Sequence, residues 1–202
     1  MRKIIPAVLE KDLNEFRKKL KIAESLSKTV HVDFVDGVFV KNKTIGVEEF
    51  KKVRPRAEIE FHLVVRHPEK YISVLRKKAE IIAIQCEIPN FDKFLGGKIK
   101  SVAINPETSV KKLLPVIKKI KKVIVLTVHP GKQGRKFLPS ALKKIKQIKK
   151  LNKKIIVQVD GGIDEKTIKL AEKAGADEFV VGSAIVKAEN PKKEYEKLKI
   201  ML

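Results

Sequence analysis

The sequence predicts a (β/α)8 barrel because eight strand-like segments alternate with helical ones and because no linker divides the chain. Eight short apolar runs alternate along the 202 residues with segments whose apolar residues recur at the 3.6-residue period of an amphipathic helix. This alternation is typical of repeated strand–helix units around a parallel sheet. No serine- and glycine-rich linker interrupts it, so we expect a single compact domain over residues 1–202. Such a barrel is small for its class, in which ~250 residues are usual.

The predicted strands are rich in isoleucine and valine, which favour extended backbone. In chain order they are residues 3–9, 29–35, 57–65, 80–86, 99–104, 122–128, 154–160 and 178–182.

Helices are predicted between most of these strands. Pro68 and Pro191 each lie where a helix would begin, a position that tolerates proline because its missing N–H needs no partner there. In chain order the predicted helices are residues 11–27, 47–53, 68–78, 108–119, 138–150, 164–174 and 191–201.

The connection between the fourth and fifth strands is short. Residues 87–99 leave room for only one or two turns at ~1.5 Å per residue, so we expect a truncated or missing helix after strand 4. A doubly wound parallel sheet is the structural alternative, but it needs a reversal of strand order for which the sequence gives no sign.

The formal net charge of +22 indicates an anionic partner such as a phosphorylated substrate, a nucleic acid or a membrane surface. The lysines are spread along the amphipathic segments and only 5% of residues are aromatic, which favours a solvated surface over nucleic-acid binding. No apolar run approaches the ~20 residues of a membrane span, so we expect no membrane association. Without a signal-peptide pattern and with one cysteine, Cys86, the protein is expected in the cytoplasm.

Polar residues that are unusual in strands collect at the strand ends where barrels carry their active sites. His31 and Asp33 end the second strand on one face, His62 is late in the third, and Asp160 ends the seventh. Taken singly, each histidine would be interpreted as a core residue hydrogen-bonded to a neighbour. Together, two imidazoles and two carboxylates form a ligand set for one divalent metal ion, Zn²⁺, Fe²⁺, Mn²⁺ or Co²⁺.

Glycines after the last two strands predict a phosphate site. Gly161 and Gly162 follow the seventh strand, and Gly182 and Ser183 follow the eighth, where barrels often bind phosphate through backbone N–H groups. Either pair alone is equally well explained as turn chemistry; the two together favour phosphate.

A further glycine-containing loop follows the sixth strand at residues 128–137. It contains Gly131 and Gly134 and is expected to close over a substrate and contribute backbone donors. Its basic side chains Lys132 and Arg135 could approach the anion, although an ordinary basic loop has the same composition.

These stretches together resemble the ribulose-phosphate 3-epimerase family of TIM-barrel enzymes. "HVDFVDGVFVKNKTIG" is similar to the family's HVDxMDGxFVPNxTxG, "FHLVV" to HLMV, "VHPGKQGRKF" to VNPGFGGQxF, "VDGGI" to VDGGI/V, and "VVGSAI" to VAGSAIF. The resemblance implies metal-dependent interconversion of D-ribulose 5-phosphate and D-xylulose 5-phosphate in the pentose phosphate pathway. It also implies a homo-oligomer, a dimer or larger.

The resemblance assigns roles to the residues already singled out. The family's metal ligands fall on His31, Asp33, His62 and Asp160, and its acid/base pair falls on Asp33 and Asp160. Epimerisation needs two proton carriers, one for each face of the sugar carbon, and a cation can stabilise the enediolate formed between the two transfers.

Several residues of the expected pocket wall depart from the family pattern. A serine of the first strand is replaced by alanine, three methionines by aliphatic residues, and an asparagine by histidine; these positions are Ala7, Val35, Val64, Leu126 and His129. The histidine that the family has in its fourth strand is Gln85 here. An epimerase of another ketose phosphate, such as D-allulose 6-phosphate, is therefore an alternative function. A catalytically silent barrel that binds phosphorylated ligands or nucleic acid is another.

Overall fold

The computed structural model describes residues 2–131 and 134–202 and shows a closed barrel of eight parallel strands in the order β1 to β8. The predicted (β/α)8 barrel is confirmed, and the doubly wound alternative is wrong because β1 pairs directly with β8. The strands are β1 (Lys3–Val8), β2 (Thr29–Val35), β3 (Glu58–Val64), β4 (Ala79–Gln85), β5 (Ser101–Ile104), β6 (Lys122–Leu126), β7 (Ile156–Asp160) and β8 (Glu178–Val181).

Helices lie outside the barrel, mostly where the sequence predicts them. They are α1 (Leu13–Leu26), α2 (Val47–Lys51), α3 (Glu69–Leu75), α4 (Leu142–Leu151), α5 (Ile168–Ala174), α6 (Ser183–Val186) and α7 (Pro191–Ile200). The connection after β4 contains only a 3-10 turn, Phe91–Phe94, so the predicted truncation is confirmed. In the described part of the chain, no helix combines the length and the apolar character needed to cross a membrane.

The helix predicted over residues 108–119 is wrong. The structure has a 3-10 helix at Val110–Leu113, followed by turns. Pro115 explains the difference because it has no N–H to continue an α-helical ladder and its ring crowds the preceding turn. Most of the hydrogen bonds that follow span three residues, as in that from the Val116 N–H to the Leu113 carbonyl at 3.0 Å.

The main apolar core lies between the barrel wall and the helices. Phe34 of β2 and Phe61 of β3 point outward and pack on Phe50 of α2, with ring centroids 5.6 and 5.2 Å away. Both pairs meet edge to face, the arrangement in which the ring quadrupoles attract. Outward side chains thus attach the helices, while alternate side chains of the same strands point into the barrel.

Opposite the strand ends that carry the predicted site, charged residues fill the barrel. The Lys122 ammonium contacts the Glu60 carboxylate and lies 2.5 Å from Glu178 Oε2, and Gln158 Nε2 donates to both carboxylates at 2.8 and 3.0 Å. We call these four residues the interior ion cluster. Burial alone would lower the pKa of Lys122, but the two carboxylates outweigh it and raise that pKa, so the lysine stays charged.

Replacing Lys122 by methionine is expected to destabilise the protein strongly. The Lys122→Met variant would leave two carboxylates buried without a cation, a change that costs about 3–5 kcal/mol of unfolding free energy in comparable pairs. Urea denaturation at neutral pH measures the loss. The neighbouring exposed Lys121→Met variant is the matched control and should unfold at the wild-type midpoint. Equal midpoints for both variants would show that the interior ion cluster does not stabilise the fold.

Candidate active site

Strand register brings the predicted metal ligands together. Asp33 of β2 lies beside His62 of β3 in the sheet, and His31 lies two residues before Asp33 on the same inward face. Asp160 is the last residue of β7. Because all strands are parallel and the barrel is closed, these strand ends converge at one mouth.

The four side chains form one cluster. Each offers a nitrogen or oxygen atom, and these atoms all lie within 4.8 Å of one another. His62 Nδ1 lies 2.8 Å from Asp33 Oδ1 and 3.7 Å from Asp160 Oδ2, and His31 Nε2 lies 3.4 Å from Asp33 Oδ1. Two imidazoles and two carboxylates at this spacing could hold a divalent cation.

His31 supports that interpretation because it is fully buried and neither ring nitrogen has a hydrogen-bond partner in the described residues. Burial alone would favour a neutral ring, but the nearby Asp33 carboxylate outweighs it and raises the pKa of His31 to about 10. The surroundings of this ring thus favour positive charge. A cation at the unpartnered nitrogen would satisfy both the charge and the lone pair, so the residues fit a metal ion.

The two carboxylates have unlike protonation behaviour. Burial and the charge of Asp33 raise the pKa of Asp160 from 3.8 to about 6. Burial also opposes ionisation of Asp33, but the adjacent imidazoles outweigh it and hold the pKa of Asp33 well below its usual range. At neutral pH Asp33 is therefore ionised, whereas Asp160 titrates close to neutrality.

A cleft that opens to solvent lies above the cluster. Its lining includes most of the predicted substrate-contacting residues, namely Ala7, Val35, Val64, Leu126, Gly131, Gly134, Arg135, Gly161, Gly162, Gly182 and Ser183. Asp33, His62 and Asp160 form its floor, whereas His31 is completely buried beneath them. Lys132 lies outside the described residues.

His129, expected in the pocket wall, does not line the cleft. Its imidazole is more than half exposed, and its Nδ1 lies 2.8 Å from Glu107 Oε1 in the loop after β5. His129 therefore pairs with the loop after β5 rather than lining the cleft.

The glycines after β7 allow two loops to pack closely. Gly161 has a φ of +113°, and a Cβ there would lie 2.4 Å from Val128 Cγ2. The Thr127 N–H donates to the Asp160 carbonyl at 2.8 Å, and its hydroxyl donates to the Gly161 carbonyl at 2.5 Å. The loop after β6 is thereby fixed against the strand end that carries Asp160.

Two residues next to the metal-ligand candidates were missed in the sequence analysis as site components. Gln85 Nε2 lies 2.9 Å from His62 Nε2, and Glu60 Oε2 lies 3.8 Å from His31 Nδ1. The two-residue periodicity of β3 places Glu60 on the same face as His62, and this pattern could have identified Glu60 as a neighbour of the site. For Gln85 the only signal in the sequence was that the family has a histidine at this position.

Solved structures with this architecture share little sequence. The chain superimposes on 3-hexulose-6-phosphate synthase from Salmonella typhimurium with a TM-score of 0.70 at 17% identity, covering 99% of this chain and 98% of the other. Orotidine 5'-phosphate decarboxylase from Pyrococcus horikoshii gives 0.65 at 16% identity, with 96% of each chain covered. At these identities the likeness concerns the fold alone.

Relatives found by sequence indicate the family as well as the fold. Ribulose-phosphate 3-epimerase of Bacillus subtilis is 32% identical over 208 residues, with 96% of each chain covered. The enzyme of the same name from Methanocaldococcus jannaschii is 34% identical over 200 residues, covering 92% of this chain and 84% of the other. Residues 3–186 also match the model of the ribulose-phosphate 3 epimerase family. The chain therefore belongs to the ribulose-phosphate 3-epimerase family, whose named members are isomerases.

Proposed function

We propose that this protein interconverts D-ribulose 5-phosphate and D-xylulose 5-phosphate by metal-dependent proton transfer at C3. The observation that carries the proposal is the pair Asp33 and Asp160, two carboxylates in one 4.8 Å cluster whose pKa values are shifted in opposite directions. An acid and a base held together at the floor of a cleft are what inversion at one carbon requires.

The proton transfers follow from these protonation states. Asp33, ionised at neutral pH, accepts the C3 proton as the C3–H bond breaks and its electrons move toward the C2 carbonyl. Asp160, which titrates close to neutrality, returns a proton to C3 from the other side, and the reverse reaction exchanges the two roles. The carboxylates come from β2 and β7, strands that are not neighbours, so a sugar carbon can be approached from two directions.

We assign His31, Asp33, His62 and Asp160 as the metal ligands. A bound divalent cation would supply Lewis-acid stabilisation of the negative charge that develops on the sugar oxygens. Zn²⁺, Fe²⁺, Mn²⁺ and Co²⁺ all accept this ligand set. Val35, Val64 and Leu126 line the cleft beside the cluster and exclude water from the reacting atoms.

The substrate phosphate is assigned to the glycines of the cleft. Gly161 and Gly162 follow β7, and Gly182 and Ser183 lie at the start of α6, whose first N–H groups have no partner within the helix. Gly131 and Gly134 border the same cleft. The homo-oligomeric state and the cytoplasmic location stay predictions.

The first test is exchange of the C3 proton of D-ribulose 5-phosphate with solvent deuterium, followed by NMR. Metal-loaded protein is expected to incorporate deuterium and to form xylulose 5-phosphate. Chelator-treated protein and the Asp160→Asn variant are expected to lose epimerisation, by about 10²–10⁴-fold if the carboxylate is the general acid.

The hexulose phosphate D-allulose 6-phosphate is assayed beside the pentulose phosphate. A clear preference for it would keep the two-carboxylate mechanism and replace the proposed substrate. Full epimerisation by Asp160→Asn would contradict the mechanism itself.

Asp160 is also expected to lower the stability of the metal-free protein above neutral pH. Its pKa of about 6 lies above the ordinary 3.8, so the stabilising contribution of the protonated form is complete below about pH 4 and is lost as the pH rises through 6. At pH 8 the Asp160→Asn variant should be more stable than wild type by on the order of 2 kcal/mol, with the gap closing near pH 4.

Urea denaturation of chelator-treated protein at both pH values measures this gap. The exposed Asp92→Asn change is the matched control and should have no effect at either pH. A variant that is no more stable than wild type at pH 8 would contradict the raised pKa.

The Ser183→Asp variant tests the phosphate assignment. A negative charge at the start of α6 favours the helix but repels a phosphate bound there, so the KM for ribulose 5-phosphate should rise about tenfold or more while the fold persists. The control Ser25→Asp makes the same charge change on exposed α1 near the opposite end of the barrel. Equal KM values for the two variants would place the phosphate elsewhere.

A further inference from the structure

Gln85 lies beside the candidate metal centre without being one of its ligands. It is the last residue of β4, and its side chain is completely buried inside the barrel. Its Nε2 lies 2.9 Å from His62 Nε2, whereas the other ring nitrogen, Nδ1, faces Asp33 Oδ1 at 2.8 Å. His62 is therefore held between an amide on one side and the carboxylates on the other.

The proton of a neutral His62 can occupy either ring nitrogen, and the partners differ in the two cases. With the proton on Nδ1, His62 donates to Asp33 and its Nε2 accepts from the Gln85 amide. With the proton on Nε2, the ring donates to the Gln85 oxygen and the Nδ1 lone pair faces the carboxylates, where it can bind a cation. Rotating the Gln85 amide by half a turn converts one arrangement into the other with little movement of the remaining atoms.

We propose that Gln85 is a positioning residue for His62, donating to Nε2 in the metal-free protein and accepting from it when Nδ1 binds a metal ion. This inference rests on the metal site proposed above. An amide suits the role because it carries both a donor and an acceptor, whereas a carboxylate only accepts and an ammonium only donates. Gln85 Oε1 is buried and has no hydrogen-bond partner among the described residues, so the oxygen is available for the second arrangement.

The other ligand histidine is supported differently. His31 Nδ1 faces Glu60 Oε2 at 3.8 Å, and Glu60 is itself paired with Lys122. An ionised carboxylate can only accept, so it favours a proton on Nδ1 and directs the Nε2 lone pair toward the site. With a metal ion bound at Nε2, His31 would therefore keep its proton on Nδ1, whereas His62 can change tautomer without losing its Gln85 partner.

The experiment is two-bond ¹H–¹⁵N NMR of histidine-labelled protein, which reports which ring nitrogen carries the proton. The chain has four histidines, and the signals of His67 and His129 are identified by replacing each of these exposed residues in turn. In metal-free wild type the His62 proton is expected on Nδ1. After addition of Zn²⁺ it is expected on Nε2.

The Gln85→Met variant keeps the length of the side chain and removes the amide. Its Zn²⁺ affinity, measured by chelator competition, should fall about 10–100-fold because the metal-bound ring loses the acceptor for its Nε2 proton, while Asp33 keeps the proton of metal-free His62 on Nδ1. Gln85→His restores a side chain with a donor and an acceptor and should recover most of the affinity. Gln158→Met makes the same change at another buried barrel glutamine that does not contact His62, so its Zn²⁺ affinity should stay close to the wild-type value.

Two outcomes would overturn the inference separately from the proposed function. If Gln85→Met binds Zn²⁺ as tightly as wild type, or if wild-type His62 keeps its proton on Nδ1 with Zn²⁺ bound, Gln85 does not position the ring. If wild type binds no Zn²⁺, the proposed metal site fails and the role of Gln85 fails with it. None of these Zn²⁺-binding and NMR measurements depends on epimerase activity.

Discussion

Charge compensation inside the closed barrel governs both the fold and the site. A closed sheet directs alternate side chains of every strand into one interior, and a charge placed there needs a partner from another strand. Toward one end Lys122 compensates Glu60 and Glu178. Toward the other end Asp33 and Asp160 lie beside each other and beside two imidazoles, so that cluster carries an excess of negative charge once both carboxylates ionise.

Glu60 connects these two ends. Its one oxygen contacts Lys122 and its other lies toward His31, so one carboxylate takes part in the interior ion cluster and borders the metal-ligand candidates. Burial opposes its ionisation, but the nearby His31 imidazole and the charge of Lys122 outweigh burial and lower the pKa of Glu60 to about 2. The ionised Glu60 carboxylate therefore pairs with Lys122 in the interior ion cluster and also lies where it can orient the His31 imidazole.

Sequence reasoning predicted what depends on local pattern. The eight strands follow from apolar runs, and the metal ligands follow from polar residues at strand ends, because a parallel barrel places those ends together. The helix expected over residues 108–119 was wrong because apolar periodicity outweighed Pro115 in the interpretation. The pairing of Glu60 with Lys122 joins residues 62 positions apart, and the contact of Gln85 with His62 depends on the register between strands; neither is encoded in local periodicity.

The contacts between the loops after β6 and β7 connect the border of the cleft to the position of Asp160. Thr127 binds the carbonyls of Asp160 and Gly161, and its own carbonyl accepts the Leu138 N–H at 2.7 Å, so both ends of the intervening loop meet at one point. Insertions or deletions between these anchors change the length of a closed loop without moving its base. The loop that borders the cleft can therefore differ in length while Thr127 keeps the Asp160 backbone in place.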